Sequence, residues 1–530
     1  MGLAFTTADN LTMGAPLSLL EKGSIFFDNV IIFHPITAVL SFLLVVLYLR
    51  FRPKKPGIPG PKSYPLVGIL PHILKNWDRW PERCCEYSKQ FGHRTWGGGL
   101  PNLAALGGAA YFLVDPRCVR HVLSENFENY EKGEAFRDLY SELLGTGIFV
   151  ADGAPWKAHR RLISHMFSRN LLRATGEVTL QKLKIVEGAF RSRIRRRESA
   201  TGAPFDLQDL FFRMTFDTTA YVVFGCPLDS LRVEGGQHSF ARAFDEMQLL
   251  ISERLVDPLY RIKRALKIGA RERRIAELKE ILFEETMRIA VQRRRNSRDG
   301  GHELGPDLLS RFLDKDLRDD HELHSVVMNI MIAGRDTTAC SLAWAFYELS
   351  KRPEVVMAIV HEADRVIGSP SDAKDQDYGH ERICDLRYTR AVVMEVLRIH
   401  PSVPNDHKYA LKDDVLPDGT AVSAGSMVVW LPLAMGRSEE IWGDDAGEFR
   451  PERFLGAKEP SPFSYPVFNA GPRTCLGKPL AIQTMTMTLA YLLPLFCFTD
   501  SIGHDGKFNW SFVRSMKGGF PIDVSERKVG

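Results

Sequence analysis

Apolar residues recur at helical spacing along most of the chain beyond residue 155, and strand-like patterns are confined to a few short segments. Strands interrupted by glycine are predicted at 94–114, followed by a short amphipathic helix at 115–127. Strand character returns at 409–431, around the turn signal Pro417-Asp418-Gly419. Helices are predicted at 155–172, 176–199, 206–225, 238–253, 270–296, 322–351, 353–367 and 388–399, with one more after Cys475. The pattern therefore predicts a mainly α protein with a small β portion.

One apolar run near the N-terminus differs from all the others. Residues 30–49, VIIFHPITAVLSFLLVVLYL, contain no Asp, Glu, Lys or Arg, and 20 helical residues are long enough to cross a bilayer. A cleaved signal peptide is the alternative, but the run is too long and begins too far into the chain. Because Arg50, Arg52, Lys54 and Lys55 follow at once, we expect this side to stay cytosolic. The sequence predicts a single-pass anchor with the bulk of the chain in the cytosol.

Four regions follow from this reading. We expect an N-terminal luminal tail at 1–29, a transmembrane anchor at 30–49, a basic linker rich in proline and glycine at 50–66, and one large folded domain at 67–530. The linker prolines favour a stiff, extended chain.

The composition adds little to the prediction of structural class, but the cysteines indicate the cellular compartment. The chain is 45% hydrophobic and 25% charged with a net charge of +4, which is typical of a globular protein. Its eight cysteines are scattered without the spacing of a disulfide scaffold. This distribution indicates a reducing compartment for the folded part.

Cys475 lies in the stretch FNAGPRTCLGKPLA at 468–481, directly before an apolar helical pattern. A helix N-terminus favours thiolate over thiol, and a thiolate is a strong metal ligand. The alternative is a free buried cysteine in a turn. No CxxC partner or histidine pair lies nearby, which disfavours zinc, whereas a single protein thiolate suits haem iron.

The stretch FNAGPRTCLG at 468–477 resembles the haem-ligand loop of the cytochrome P-450 family. The resemblance implies that Cys475 is the axial ligand of a haem b and that Phe468, Arg473 and Gly477 contact the cofactor. It also implies the family's mainly helical fold for the whole chain after the anchor.

An acid and two threonines interrupt the apolar helical stretch MIAGRDTTACSLAWAFYEL at 331–349, where they are locally unfavourable. The alternatives are an exposed polar stripe or a threonine bonded to its own helix. The segment resembles the family's Gly-x-Asp-Thr-Thr stretch. By that resemblance Thr337 holds the bound O₂, Asp336 feeds a proton relay, and Gly334 leaves room for O₂ and substrate.

Glu395 and Arg398 are three residues apart on one predicted helix, and FRPERF follows at 449–454. Alone, such a pair is usually a surface ion pair worth a few tenths of a kcal/mol. Together the two stretches resemble the family's Glu-x-x-Arg and Pro-Glu-Arg-Phe. The resemblance implies a buried structural triad of Glu395, Arg398 and Arg453.

WKAHR at 156–160 resembles the family's Trp-x-x-x-Arg, with Trp156 and Arg160 on one helix face. A surface helix carrying this pair is the alternative. Buried haem propionates need cationic or N–H donors. The resemblance assigns Trp156, Arg160 and Arg473 to them, and Lys408 stands where the family often has a further basic residue.

Several further stretches resemble the fatty-acid hydroxylase branch of plants and their fungal and protist relatives. They are LGTGIFVADG at 144–153, AGRDTT at 333–338, PSVPNDHK at 401–408, VLPDGT at 415–420 and IWGDD at 441–445. The branch implies insertion of one oxygen atom from O₂ into a C–H bond of a long-chain fatty acid, at or near its terminal carbon. A sterol or another apolar lipid is the alternative substrate. Ala333 replaces the glutamate that esterifies haem in animal relatives, so we expect non-covalent haem.

Nothing in the sequence resembles a flavin or nicotinamide domain, so a separate electron donor is implied. By the resemblance this is the NADPH–cytochrome P-450 reductase, docking on the thiolate side, with cytochrome b5 as an optional second donor. We expect a lipid substrate, the endoplasmic reticulum membrane with a cytosolic catalytic domain, and no nucleic-acid partner. Two rival functions remain: a haem-thiolate isomerase or dehydratase that rearranges peroxides without O₂, and a non-enzymatic haem-binding protein.

Overall fold

The computed structural model divides the chain into two units, Met1–Arg52 and Pro53–Gly530. The residues it describes are Val39, Ser41, Phe42 and 57–528, without 65–66, 101–107, 165–166, 198–203, 227, 233–237, 258, 299–306, 311–318, 369–376 and 457. The predicted anchor at 30–49 therefore lies almost wholly outside the described residues. Among the helices that are described, none is both long and apolar enough to cross a membrane.

The described part of Pro53–Gly530 is mainly helical, as the sequence predicted. Its α-helices are α1 Leu70–Lys75, α2 Trp80–Gln90, α3 Pro116–Arg120, α4 Glu134–Leu144, α5 Gly153–Ser164, α6 Arg169–Arg197, α7 Leu207–Phe224, α8 Ser239–Ser252, α9 Tyr260–Leu266, α10 Ala270–Arg298, α11 Asp320–Met331, α12 Thr337–Leu349, α13 Pro353–Ile367, α14 His380–Asp385, α15 Arg387–Ile399, α16 Pro432–Met435, α17 Glu439–Trp442 and α18 Lys478–Leu495. A π-helical turn, Ile332–Asp336, joins α11 to α12 without interruption.

The β portion is small and divided among separate sheets. Its strands are β1 Trp96–Gly99, β2 Ala109–Leu113, β3 Tyr130–Glu131, β4 Phe205–Asp206, β5 Asp406–Ala410, β6 Asp414–Val415, β7 Ala421–Val422, β8 Met427–Trp430, β9 Phe496–Asp500, β10 Phe508–Trp510, β11 Arg514–Met516 and β12 Pro521–Glu526. The five-stranded sheet has the order β1-β2-β8-β5-β3, in which β2 and β8 are parallel. A three-stranded sheet β4-β12-β9 and the hairpins β6-β7 and β10-β11 complete the described strands.

Two apolar clusters form the core of this unit. The first contains side chains of the five-stranded sheet and of α4, α8, α10 and α11, and the second contains those of α12, α13, α15 and α18. The continuous helix from Asp320 to Leu349 contributes to both clusters, because Val326 and Met328 belong to the first and Ala339 and Trp344 to the second. Its central π-helical turn therefore lies where the two clusters meet.

Helix boundaries differ from the prediction around residue 176. The sequence pattern placed a break between 172 and 176, but α6 runs unbroken from Arg169 to Arg197 and the preceding helix already ends at Ser164. A Cβ atom at Gly176 would lie 2.8 Å from Nε2 of Gln483 on α18. The glycine therefore permits a close helix contact and does not end a helix.

Candidate functional site

The loop before α18 presents the cysteine on a closely fixed backbone. The Cys475 N–H donates a hydrogen bond to the Phe468 carbonyl, at 2.8 Å. Gly471 has a φ of 64°, and a Cβ there would lie only 2.0 Å from the carbonyl oxygen of Leu123. Only glycine fits at this position, which explains the glycine of the loop in steric terms.

The Cys475 thiol lies at the N-terminus of α18, with Gly477 as the capping residue, and it lines a cavity. The thiol is accessible from the cavity, but desolvation by the surrounding protein raises its pKa overall, and hydrogen bonds from the backbone N–H groups of Gly477 and Lys478 act in the opposite direction. Those N–H groups stabilise the thiolate form, as helix N-termini do in general. The sulfur is thus a potential metal ligand that faces the cavity.

The cavity has a volume of about 480 Å³ and lies between the Cys475 loop and the helix Asp320–Leu349. On the helix side its lining includes Ala333, Gly334, Thr337 and Thr338. Phe468 and Gly477, both predicted to contact a cofactor, also line it. Much of the remaining wall is apolar and includes Phe112, Leu139, Phe149, Val222, Val403 and Phe512.

Two arginines and a tryptophan lie beside the cysteine loop. Nη2 of Arg160 donates to the Thr474 carbonyl at 2.8 Å, and Nη2 of Arg473 donates to Oδ1 of Asp152 at 2.7 Å. The Arg473 and Arg160 guanidinium carbons lie 4.5 Å and 5.9 Å from the centre of the Trp156 ring. The structure thus brings together the three residues that the family resemblance assigned to the propionates.

Lys132 is a cavity residue that the sequence reasoning missed. Its Nζ lies 2.6 Å from Oδ1 of Asp406, and both side chains line the cavity. Burial raises the pKa of Asp406, but the charges of Lys132 and His407 outweigh it, so the pKa stays below its usual value. The available sequence signal was weak: a lysine directly after a short strand, 274 residues from its partner.

Lys408 lies near this group but does not belong to the cavity lining. Its Nζ donates to the Tyr130 carbonyl at 2.9 Å and lies 3.7 Å from the centre of the Phe127 ring. Burial, together with the charges of Arg473 and Lys132, lowers the pKa of Lys408 to about 7. Its predicted contact with a cofactor stays a prediction.

These residues fit a haem. A planar, largely apolar ring with two propionates needs a cavity that has apolar walls, one axial ligand and several cations at one edge. Cys475 supplies the ligand, and the cations Arg160, Arg473 and Lys132 all line the cavity next to the cysteine loop. Arg160 has no carboxylate partner among the described residues, so its charge is available to a ligand carboxylate.

The helix over the cavity is widened at the predicted oxygen-handling segment. Thr337 donates from Oγ1 to the Ala333 carbonyl at 2.6 Å, and Thr215 on α7 donates to the Arg335 carbonyl at 2.9 Å. A Cβ at Gly334 would lie 2.7 Å from Oγ1 of Thr219. Gly334 also lines the cavity. The close contact with α7 requires a small residue at this position, whether or not a ligand needs the space.

Asp336 and Thr337 are adjacent in sequence but have different surroundings. Thr337 lines the cavity, whereas Asp336 is buried and does not belong to the described lining. Its carboxylate lies 2.9 Å from Nη1 of Arg335 and accepts a hydrogen bond from Nε2 of Gln248 at 2.9 Å. Burial raises the pKa of Asp336 although the charge of Arg335 opposes the shift. The carboxyl group can therefore take up a proton more readily than an exposed aspartate.

Glu395, Arg398 and Arg453 meet in the interior. Both carboxylate oxygens of Glu395 accept hydrogen bonds from Arg398, each at 2.7 Å, and Nε of Arg453 lies 3.6 Å from Oε1 of Glu395. Arg398 also donates to the carbonyls of Ala446 at 2.6 Å and Glu448 at 2.7 Å. This cluster connects α15 to the segment before the cysteine loop and has no contact with the cavity.

Comparisons with known proteins agree with this geometry. The profile of the family described as Cytochrome P450 matches residues 58–512. Cytochrome P450 94A2 of Vicia sativa is 33% identical over 515 residues, which cover 93% of this chain and 97% of the relative. Cytochrome P450 704B1 of Arabidopsis thaliana is 33% identical over 511 residues, covering 88% and 95%. Cytochrome P450 monooxygenase cyp1 of Mycosarcoma maydis is 31% identical over 493 residues, covering 87% and 74%.

Proposed function

The chain belongs to the cytochrome P450 family, and on that basis we propose that it hydroxylates long-chain fatty acids at or near the terminal carbon. The family relationship makes it a monooxygenase that uses haem b with a cysteine thiolate as axial ligand. The haem, when bound, supplies reductive activation of O₂ and oxidation of a C–H bond. The observation that carries the substrate proposal is the apolar cavity that opens onto Cys475.

The residues around the cavity have distinct roles in this proposal. Cys475 ligates the iron through its thiolate, which the backbone N–H groups of Gly477 and Lys478 stabilise. Arg160, Arg473 and Lys132 offer their charges to the two propionates, and Trp156 packs against the arginines. Breaking the contacts of Arg473 with Asp152 or of Lys132 with Asp406 is not required, because a guanidinium and an ammonium each have further donors.

Thr337 and Asp336 are the residues that supply protons to the cavity in this proposal. Since the Thr337 hydroxyl gives its hydrogen to the Ala333 carbonyl, its lone pairs are free to accept a hydrogen bond in the cavity. Asp336 is the adjacent buried acid with a raised pKa, so it can act as a proton donor to water near the cavity. To do so its carboxyl group must exchange its contact with Arg335 or Gln248 for one with water.

The lining of the cavity supports an alkyl chain as the substrate. Its lysine, arginine and aspartate side chains, Lys132, Arg160, Asp406 and Arg473, all lie around the cysteine loop, and the rest of the described wall is mostly apolar. Each CH₂ group buried there contributes about 0.8 kcal/mol, which favours a long alkyl chain over a short one. The resemblance to the fatty-acid hydroxylase branch points to the same substrate class.

Selectivity for the end of the chain must come from positioning, because a terminal methyl has the strongest C–H bonds of the chain. Three segments that could form such a wall line the cavity: Ala333, the turn Ser402–Pro404, and the loop residues Ile148 and Phe149. A narrow channel between them would keep interior carbons away from the iron. The acid's carboxylate would then lie at the far opening, in water.

Like other members of the family, the protein uses a redox partner reductase. We propose that this is the NADPH–cytochrome P-450 reductase, with cytochrome b5 as an optional second donor. The apolar run at 30–49 and the basic residues after it support anchoring in the endoplasmic reticulum membrane with the catalytic domain in the cytosol.

The test is turnover by the full-length holoprotein with reductase and NADPH. Lauric, palmitic and stearic acids are supplied separately, and the products are identified by mass spectrometry. The proposal predicts hydroxylation mainly at or next to the terminal carbon, dependent on both O₂ and NADPH. Mainly mid-chain products would reject the narrow channel. No turnover of any fatty acid, together with tight binding of a sterol, would reject the substrate class.

A further inference from the structure

Arg514, the first residue of β11, is a buried arginine that none of the sequence motifs identifies. Its side chain is 3% exposed. Nη2 donates to Oε1 of Glu82 at 2.8 Å, and Nη1 lies 2.9 Å from Nδ1 of His400. The guanidinium carbon lies between two aromatic rings, 4.4 Å from the centre of Trp344 and 4.5 Å from that of Phe508. Both Nη groups thus have a hydrogen-bond partner and the guanidinium lies against two rings, whereas its Nε is buried with no hydrogen-bond partner among the described residues.

The hydrogen bonds determine the state of the neighbouring histidine. A guanidinium keeps all its hydrogens, so Nδ1 of His400 must accept from Arg514 and cannot be protonated. Nε2 of His400 then donates to Oε1 of Glu348, at 2.5 Å. The imidazole is therefore neutral, and burial indeed lowers the pKa of His400 to about 3. Its ring is stacked on Trp344 at 4.3 Å.

The backbone of Arg514 joins the same group. Its N–H donates to the Ser402 carbonyl at 2.9 Å, and its carbonyl accepts from Nε1 of Trp344 at 2.9 Å. We call the side chains of Arg514, Glu82, His400, Glu348 and Trp344 the Arg514 cluster. Its members come from α2, α12, the end of α15 and β11, which are distant in sequence.

Three segments of the cavity wall are each within two residues of a member of this cluster. Trp80 precedes Glu82 on α2, Ser402–Pro404 follow His400, and Ser511–Val513 precede Arg514. All three segments line the cavity. The Arg514 side chain contacts the elements that carry the first two, and its own backbone continues the third. A shift of the guanidinium would therefore move all three walls.

We propose that Arg514 is a positioning residue: it fixes these three wall segments relative to one another and so determines which carbon of a long-chain substrate lies next to the haem. The substrate class in this statement rests on the proposed function. Arginine is suited to the role because its planar group makes two directed hydrogen bonds and stacks between rings at once. A lysine could keep the charge and one hydrogen bond but not the stacking.

The first test compares Arg514→Lys and His400→Phe in the full-length holoprotein. His400→Phe retains a ring that can stack on Trp344 but removes both polar contacts. We expect normal haem content and a ratio of terminal to interior hydroxylation that falls about five- to tenfold, because small displacements of a bound chain change the reacting carbon. In His400→Gln the glutamine side chain can still accept a hydrogen bond from Arg514 and donate one to Glu348. We therefore expect this variant to have a ratio of terminal to interior hydroxylation close to that of the wild type.

The variant Ile359→Ala is the control for a general loss of stability, which would be the effect of Arg514→Lys if Arg514 had only a structural role. Ile359 is buried in the same apolar cluster as Trp344 but does not line the cavity. This variant should lower thermal stability and leave the product ratio unchanged. If Ile359→Ala changes the ratio as much as Arg514→Lys, or if Arg514→Lys and His400→Phe leave it unchanged, the proposal is wrong.

The second test does not depend on turnover. N-dodecylimidazole places an imidazole on haem iron and an alkyl chain in the cavity, whereas imidazole alone does not reach the walls. We expect Arg514→Lys to weaken spectral binding of N-dodecylimidazole about fivefold more than that of imidazole, and Ile359→Ala to weaken both equally. An unchanged ratio of the two affinities in Arg514→Lys would overturn the proposal. If the wild type hydroxylates no fatty acid, the proposed function fails, and this measurement still decides the role of Arg514.

Discussion

Replacing Glu395 by glutamine should cost far more stability than the same replacement at Glu246. Both glutamates bind an arginine through two hydrogen bonds of 2.7 Å, Glu395 to Arg398 and Glu246 to Arg274. The pairs differ in exposure: the side chains of Glu395 and Arg398 are 0% exposed, and those of Glu246 and Arg274 are each 42% exposed. The two substitutions therefore compare the same two-bond pair in two environments, with Arg453 as an additional neighbour at Glu395.

The expected magnitudes follow from that difference. Glutamine at 395 leaves the Arg398 charge buried without its counter-ion, which costs about 3–5 kcal/mol. At the exposed pair the loss is about 0–1 kcal/mol, because water and salt screen the charges. With an unfolding entropy of about 2.1 cal/mol/K per residue over the unit Pro53–Gly530, each kcal/mol shifts the midpoint by about 1 °C. We expect a loss of ~3–5 °C for Glu395→Gln and of less than ~1 °C for Glu246→Gln.

The assay is thermal unfolding of the full-length holoprotein, followed by circular dichroism and by haem absorbance at one fixed scan rate. A large cofactor-binding protein does not unfold in two states, so midpoints and not free energies are compared. Equal shifts of the unfolding midpoint in the two variants would refute the argument that burial determines how much the Glu395–Arg398 pair contributes to stability. Haem loss from Glu395→Gln without any change in the protein transition would instead assign the triad to cofactor retention.

Cys475→Ser should abolish the absorption band that CO gives with reduced thiolate-ligated haem; a variant that keeps this band would show that another residue ligates the iron. Thr337→Ala should leave haem and substrate binding near normal but lower the product formed per NADPH, and Thr337→Ser should retain the wild-type ratio. Because the pKa of Lys408 is about 7 in the folded protein and 10.5 otherwise, the unfolded chain binds more protons between these values, so stability rises with pH there; midpoints measured across this range should rise less in Lys408→Met than in the wild type. Deleting residues 1–50 should abolish integral membrane association, and added protease should digest the catalytic domain of the full-length protein in sealed microsomes; protection of that domain would contradict the predicted topology.

Helices with clear local signals could be predicted closely from the sequence. The helix predicted at 353–367 is observed as Pro353–Ile367, because a proline in its first turn and Gly368 directly after it mark both ends. The helix after Cys475 was likewise expected, and it begins at Lys478. In both cases the information lies within a few residues of the helix end.

Elements without such signals were missed. α4, Glu134–Leu144, begins after Gly133, whose φ is 82°, and has no side-chain cap. Nothing in the sequence therefore marks its start, although Leu139 and Tyr140 on it line the cavity. The break expected between 172 and 176 is absent, because Arg169–Arg197 is one helix in which Gly176 lies close to Gln483.

The residues of the candidate site likewise include some that the sequence could identify and some that it could not. Residues within short motifs, such as Cys475 and Arg473, could be named from the sequence because the motif itself carries the spacing. Lys132 and Arg514 could not, because their partners lie 274 and 432 residues away and the contacts exist only in the folded chain. Charge complementarity over such separations leaves no periodic pattern to detect.

Adjacency in sequence is itself misleading at Asp336 and Thr337. Consecutive residues of a helix point about 100° apart, since one turn takes 3.6 residues, so neighbours in sequence need not have the same surroundings. Thr337 faces the cavity, and Asp336 instead contacts Arg335 and Gln248. A proton supplied by Asp336 must therefore be carried around the helix by a water or by rotation of the carboxyl group. In the proposed function the two residues would act in sequence, with Thr337 as the group that lines the cavity and Asp336 as the buried proton source behind it.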